Sequence, residues 1–399
     1  MTIRPAESEA AMFKRHPVSA FPVACTFIAL AACSRTAAPP TIPALLANGK
    51  ALQVKAAVRY SVVDLGTLGG ALSEAGMYDG LVIGFAMRSD GSVHAFVWSN
   101  GKMRDLGTLG GANSFAVGGA PAINAIAGAS ETNKPDPNGE DYCTLGTHAT
   151  CRAFVWQNGS MRPLPALGGN NSGASAINAA GQVVGAAETT FRDPTCRKPE
   201  IFGYKPVIWH HGRIEKVLPT WPGDSAGVAS FINDHGLVVG YSGACARGFA
   251  TSIRHALVWR DGKAINLGNW GWANEVNDLG QVTGFAGNRR YPHAFLWQNG
   301  KTQDLGILPG DVSSESEGVS PDGKLIVGGS CHGPGDTVNC RAVIWQAGVM
   351  TDLNTLIPAN TGLYLLNAVG NPNAQGQIAG NALVKATKQI HGFLATPLK

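Results

Sequence analysis

The stretch "HAFVWSNGKMRDLGTLGG" (His94 to Gly111) returns as "HAFLWQNGKTQDLGILPG" (His293 to Gly310), 199 residues later and with twelve of eighteen positions identical. Self-similarity of this kind decides the architecture. Three patterns recur in fixed order. A basic-Ala-Phe-x-Trp pattern in its fullest form opens at His94, Arg152, Lys205, His255, His293, Arg341 and His391, seven times in all. A strand with a Leu-Gly ending also occurs seven times, from "YSVVDLGTLGG" at Tyr60 to "VMTDLNTLIP" at Val349. An apolar pair, a turn and a β-branched run complete the unit, clearest in "SAINAAGQVVGAA", "SFINDHGLVVGYS" and "NEVNDLGQVTGFA".

Each pattern alternates apolar residues between Asn-Gly, Asp-Gly or Gly-Gly turn signals, which specifies strands and hairpins. Fifty-two glycines, 23 prolines and only 15% charged residues agree with many short strands. Four strands in about 50 residues is the blade period of a β-propeller. The expected fold is therefore all-β: a seven-bladed β-propeller of four-stranded antiparallel blades over residues 58–399. The chain begins on a second pattern and ends on a first, so the N-terminal strand is expected to pair with the C-terminal blade and close the ring, removing a bare edge. In each blade the third pattern supplies the two inner strands, the Trp strand follows, and the Asp-Leu-Gly strand lies outermost. Trp98, Trp156, Trp209, Trp259, Trp297 and Trp345 then read as blade-to-blade packing.

His-Ala-Phe-x-Trp followed by Asp-Leu-Gly-x-Leu-Gly-Gly resembles the HAF-repeat family of bacterial extracellular proteins. The likeness covers nearly all of the chain after the first 57 residues and is fullest at His94 to Gly111. It implies a propeller outside the cytoplasm and no particular activity. Blades three, four and six depart from the His-Ala-Phe wording.

The N-terminus has the form of an export signal. Lys14, Arg15 and His16 precede the apolar run "VSAFPVACTFIALAAC", too short to span a bilayer, and Met12 makes a better start than Met1. Residues 1–32 are thus expected to be a signal peptide, and "LAAC" resembles a lipoprotein cleavage box that leaves Cys33 lipidated. Residues 33–57 read as a Pro/Ala-rich linker. Ser34 suggests the outer membrane or cell surface, with plain secretion as the alternative.

Six cysteines remain, an even number suited to an oxidising compartment. Cys143 and Cys151, and Cys331 and Cys340, are near neighbours, leaving Cys196 and Cys245 for each other. All fall in or beside long loops leading into the basic-Ala-Phe strands, and a face of stapled loops is where binding is expected. The basic residues that open those strands, His94, Arg152, Lys205, His255, His293, Arg341 and His391, form either an anion-holding ring or a set of local caps on carboxylates such as Asp64, Asp105, Asp304 and Asp352. Trp221, Trp270, Trp272, Tyr142 and Tyr241 are candidate ligand-stacking aromatics.

Enzyme signatures are scarce: no GxSxG, HExxH or phosphate loop occurs, so no catalytic, cofactor-binding or metal residue is assigned and no cofactor is expected. "DPNGED" (Asp136 to Asp141) holds calcium-type oxygen donors but reads as a solvated turn. His210 and His211 sit in a hairpin turn. The formal charge of +4 without a basic tract speaks against nucleic acid. The expectation is a monomeric, lipid-anchored binding module with a protein or glycan ligand on the loop face. The alternative is a propeller hydrolase or lyase acting on envelope or environmental polysaccharide, favoured if carboxylates cluster over the central channel.

Overall fold

A computed structural model describes residues 58–245, 252–333 and 339–398. The expected signal peptide, Met12, Cys33 and the linker lie outside the described residues. Among those described there is no α-helix.

The chain opens on β1 (Tyr60–Asp64) and then builds sheets of four. The first comprises β2 (Gly69–Tyr78), β3 (Leu81–Arg88), β4 (Val93–Ser99) and β5 (Lys102–Asp105). The second is β6 (Gly110–Ala120), β7 (Ala125–Pro135), β8 (Ala149–Gln157) and β9 (Ser160–Pro163). The third is β10 (Gly168–Ile177), β11 (Val183–Arg192), β12 (Phe202–His210) and β13 (Arg213–Val217). The fourth is β14 (Ala226–Ile232), β15 (Val238–Ala244), β16 (Ser252–Arg260) and β17 (Lys263–Asn269). The fifth holds β18 (Trp272–Val276), β19 (Val282–Gly287), β20 (Pro292–Gln298) and β21 (Lys301–Asp304), and the sixth β22 (Ser313–Val319), β23 (Leu325–Cys331), β24 (Cys340–Gln346) and β25 (Val349–Asp352). The chain ends on β26 (Leu363–Ala368), β27 (Ile378–Val384) and β28 (Ile390–Pro397).

The fold is β-propeller-like: antiparallel four-stranded blades, each ordered as its strands occur in sequence. Counted by hydrogen bonds there are six sheets rather than seven separate ones, because the last three strands, β1 and the first four-stranded set merge into one mixed sheet of eight. The merger rests on the parallel pairing of Leu72 with Ile390, where the flank of β2 meets β28, beside an isolated parallel bridge between Met77 and Gly370. β1 pairs antiparallel with β28, Tyr60 opposite Pro397 and Asp64 opposite Phe393.

Turn chemistry fixes the outer hairpins. Asn100-Gly101, Asn158-Gly159, Asp261-Gly262 and Asn299-Gly300 all take positive φ at both central positions, the condition for two-residue turns that match strand twist. The inner hairpins depend on a glycine with no room for a side chain. A Cβ on Gly84, Gly128, Gly185, Gly240, Gly284, Gly328 or Gly380 would strike the facing carbonyl of Glu74, Phe115, Gly173, Val228, Trp272, Glu315 or Asn367.

Each inner strand packs on the preceding blade: β6 on β3 and β4, β10 on β7 and β8, β14 on β11 and β12, β18 on β15 and β16, β22 on β19 and β20, β26 on β23 and β24, and β2 on β27 and β28. The conserved-pattern tryptophans sit in these seams. The indole N–H of Trp209 donates to Pro165 O, that of Trp259 to Pro219 O and that of Trp345 to Leu305 O, each carbonyl belonging to the blade before. Apolar burial and a satisfied donor thus coincide at one residue.

Candidate functional site

Six inner-hairpin turns converge on one cavity of about 410 Å³. Its wall is Asp79-Gly80 from β2–β3, Ala120 to Ala122 from β6–β7, Ala179 from β10–β11, Asp234 from β14–β15, Pro321 from β22–β23, and Asn371 to Gln375 from β26–β27. This funnel lies on the face of the tight turns, opposite the long, disulfide-bearing loops on which the sequence reading placed binding. The charged side chains in its wall, Asp79 and Asp234, are both acidic.

A ladder of side chains holds those turns in register. Asn178 Nδ2 donates to Asn233 O at 3.1 Å, Asn233 Nδ2 to Asn277 O at 2.9 Å, and Asn277 Nδ2 to Ser320 O at 3.1 Å. Beside it, Asp234 Oδ1 accepts from Ala179 N and Asp278 Oδ1 from Asp234 N. Asn371 and Asp79 close on each other reciprocally, side-chain amide to carboxylate and backbone N–H to side-chain carbonyl, both at 3.0 Å. These asparagines read in sequence only as turn formers. The available signal was their recurrence at one place in "INAAG", "INDHG" and "EVNDLG".

Acidic character continues inward. Asp79 is exposed at the rim, yet the crowding turns push its carboxyl up to about 6, with Asn371 pulling down and Asp234 and Asp278 pushing further up. Burial, then the charge of Asp79, holds Glu275 well above the usual carboxyl range against the opposing pull of the Val319 N–H. Burial likewise raises Glu317, reinforced by Glu315 and Glu275, and raises the Tyr78 phenol beside them. Glu74, in the wall of a second small cavity, is pushed up to about 7 by burial.

The strand-opening basic residues are engaged locally. His94 Nδ1 lies 2.9 Å from both carboxyl oxygens of Asp105, His293 Nδ1 2.9 Å from Asp304 Oδ2, and His391 Nδ1 2.9 Å from Asp64 Oδ1. His255 meets Asp224 at 2.7 Å, Arg341 meets Asp311 at 2.7 Å, and Lys205 Nζ donates to Ser225 O at 2.7 Å. Arg152 is half-buried and faces Glu188. Six of the seven thus have a partner within the framework, which is the local-cap arrangement rather than a common anion surface.

Of the candidate aromatics, Trp270 is 40% exposed, whereas Tyr142 and Tyr241 are each only 1% exposed. Trp221 stacks near His255, and Trp272 packs on Tyr241 with its N–H bonded to Ser230 Oγ. His210 and His211 stack on each other in their turn.

Disulfides join Cys143 to Cys151, Cys196 to Cys245 and Cys331 to Cys340, consistent with a location outside the cytoplasm. The Cys196–Cys245 bond ties the third blade to the fourth. Asp193 lies against that pair, a grouping that resembles metal ligands, but both sulfurs are bonded to each other.

The segment "DPNGED" is a solvated turn only at its tip, where Pro137 to Gly139 are exposed. Its acidic ends turn inward: Asp136 is 6% and Glu140 0% exposed, Asp136 accepting from Asn171 and the Asp141 N–H donating to Glu200 of the next blade. Burial pushes Glu188 up to about 7 and Glu200 up to about 8, with Glu140 adding to both.

No family model and no curated protein matches the chain. Among solved structures it is similar to an acylaminoacyl peptidase of Pyrococcus horikoshii, with 10% identity and a TM-score of 0.46 over 82% of this chain and 52% of that one. The chain thus spans about half the peptidase's length. A triple-arginine mutant of AofleA from Arthrobotrys oligospora gives 12% identity and a TM-score of 0.36 over 73% of this chain and 88% of that one. A chain of the mitotic checkpoint complex gives 12% and 0.43 over 87% and 98%.

Proposed function

We propose that the protein is an exported, lipid-anchored, seven-bladed propeller of the HAF-repeat type whose axial funnel binds a small ligand carrying a protonated amine among hydroxyl or amide groups. The seven-blade reading splits the eight-stranded sheet where β2 meets the last strands only through isolated parallel bridges, leaving β1 as the fourth strand of the last blade. The seven inner-hairpin glycines and the seven seams between blades support the same count. Closure comes from β1 on β28 together with β2 on β27.

The observation that carries the binding reading is the funnel itself, assembled from six blades and acidic in its charged groups. Asp79 and Asp234 at the rim give a negative potential that recruits cations and repels anionic ligands. Asn371, Asn373 and Gln375 add donors and acceptors, while Pro121, Pro321 and Pro372 supply apolar wall.

A second reading, polysaccharide hydrolysis or lysis, has one observation in its favour: the Glu315 and Glu317 carboxyls interact directly. Both residues are buried, at 5% and 7% exposure, which keeps a sugar ring away from them. Binding is therefore the better account.

The test is calorimetric titration of residues 34–399 with spermidine, glucosamine oligosaccharides, their N-acetylated forms and anionic glycans, with reducing-end release followed in parallel. Amine ligands are expected to bind, and Ala122→Trp, which fills the funnel from an exposed position, is expected to abolish that binding without lowering Tm. Preference for anionic glycans, amine binding untouched by Ala122→Trp, or sugar release would overturn it.

A further inference from the structure

We infer that the loop of residues 136–148 and the facing segment of residues 188–200 together hold a divalent cation of the calcium type, with Glu140, Glu188 and Glu200 as its carboxylate ligands. The site is on the long-loop face, between the second and third blades and separate from the funnel.

Two glutamates clasp each other's backbones across the blade boundary. Glu140 Oε1 accepts the amides of Ile201 and Phe202 at 2.7 and 2.9 Å, and Glu200 Oε1 accepts the amide of Asp141 at 3.1 Å. Their carboxyl groups are thereby drawn together, with Glu188 near enough to act on Glu200. Asn171 Nδ2 bridges Asp136 Oδ2 at 2.9 Å and Glu188 Oε1 at 3.0 Å, while Glu188 Oε2 accepts the Asn170 and Asn171 amides at 2.5 and 3.2 Å, so the frame fixes the Glu188 carboxylate in place and a cation would share its oxygens with these donors. Asp136 Oδ1 caps the turn through the amides of Asn138 and Glu140.

What the frame does not satisfy is Glu140 Oε2. The residue is 0% exposed and this oxygen accepts no hydrogen bond, while its charge bears on Glu188 and Glu200. A buried carboxylate oxygen without a partner is costly, and more so beside two further acidic groups. The nearby cation Arg152 is half-buried and acts on Glu188. A hard cation resolves the conflict, since calcium takes about six to eight oxygens at roughly 2.3–2.6 Å and tolerates irregular geometry. Backbone carbonyls of the loop and solvent supply the rest. Among the described residues only Asp193 with Cys196 and Cys245 gathers three donor atoms within 4.8 Å, so Glu200, which accepts the Asp141 amide through Oε1, must turn inward to complete the shell. The Cys143–Cys151 and Cys196–Cys245 disulfides hold the segments that carry these side chains.

The experiment uses residues 34–399 with disulfides intact, stripped with EDTA and desalted, then titrated with CaCl2, MgCl2 and TbCl3 under calorimetry, thermal melting and terbium luminescence. One calcium per chain, a raised Tm and sensitised terbium emission are expected, with magnesium weaker. Glu140→Gln and Glu200→Gln should each weaken calcium binding by about tenfold or more. Where Glu140→Gln fails to fold, Glu200→Gln carries the test, because its side-chain carbonyl still accepts the Asp141 amide. Absence of heat, of a Tm change and of terbium emission in the parent protein overturns the proposal, as does unaltered calcium affinity in Glu200→Gln.

Discussion

His391 Nδ1 stands 2.9 Å from Asp64 Oδ1, joining the last strand of the chain to the first. The same contact occurs between His94 and Asp105, and between His293 and Asp304, where eleven residues separate the partners. In all three the aspartate also caps the glycine two residues on, Gly66, Gly107 or Gly306. One blade's internal joint is thus rebuilt from the two chain ends, 327 residues apart.

Removing that joint is expected to expose β28 as a bare edge. Deleting residues 58–64 takes away Tyr60, 1% exposed, and Val62 packed on the same cluster. Loss of two such apolar contacts costs about 3–6 kcal/mol. Asp64→Ala alone should cost about 0.5–1.5 kcal/mol, matching Asp105→Ala and Asp304→Ala. Urea unfolding measures all four. If the deletion unfolds at the parent midpoint, the chain ends do not close the fold.

The Asn ladder makes the funnel depend on a residue that never touches solvent chemistry. Asn233 Nδ2 donates to Asn277 O, while its Oδ1 accepts the amides of His235 and Leu237. Asn233→Ala leaves those groups unpaired in a buried place and should cost about 2–4 kcal/mol, with a funnel ligand bound more weakly. Asn233→Asp keeps the acceptor and loses the donor, so it should fall between. Equal stability of all three proteins would show that the turns are held by packing alone.

Blade chemistry was legible because each blade must solve the same local problem. Asn-Gly turns, the six Trp residues of the seams and the His–Asp joint all leave a mark at one fixed place in the repeat. The funnel was not legible, since its wall is made of turn residues, Ala122, Ala179 and Pro321, whose meaning comes only from six blades meeting. Loop burial was equally hidden. "DPNGED" has the composition of a surface turn, and nothing within it announces that Glu200, sixty residues on from Glu140, covers it. Placing binding on the long-loop face followed loop length, whereas the cavity follows from how six short hairpins meet.

Stability should fall as pH rises from about 5 to 8. In the unfolded chain carboxyls titrate near 4. In the folded protein Asp79 is raised to about 6 and Glu74 to about 7, and burial holds Glu275 and Glu317 well above the usual carboxyl range. Between those limits the folded state holds more protons than the unfolded one, so their contribution is complete below about pH 4 and is lost as each group ionises. Asp322, lowered to about 2 by Ser320 and Lys324, acts oppositely and weakens the fold only in stronger acid. Melting in EDTA buffers should therefore give the highest Tm near pH 5. Glu317→Gln, which keeps a donor toward Glu315 but cannot ionise, should flatten the decline and raise Tm at pH 8. A Tm that climbs from pH 5 to 8, or a Gln variant with the parent's slope, would mean that the carboxyls behind the funnel stay hydrated and ordinary.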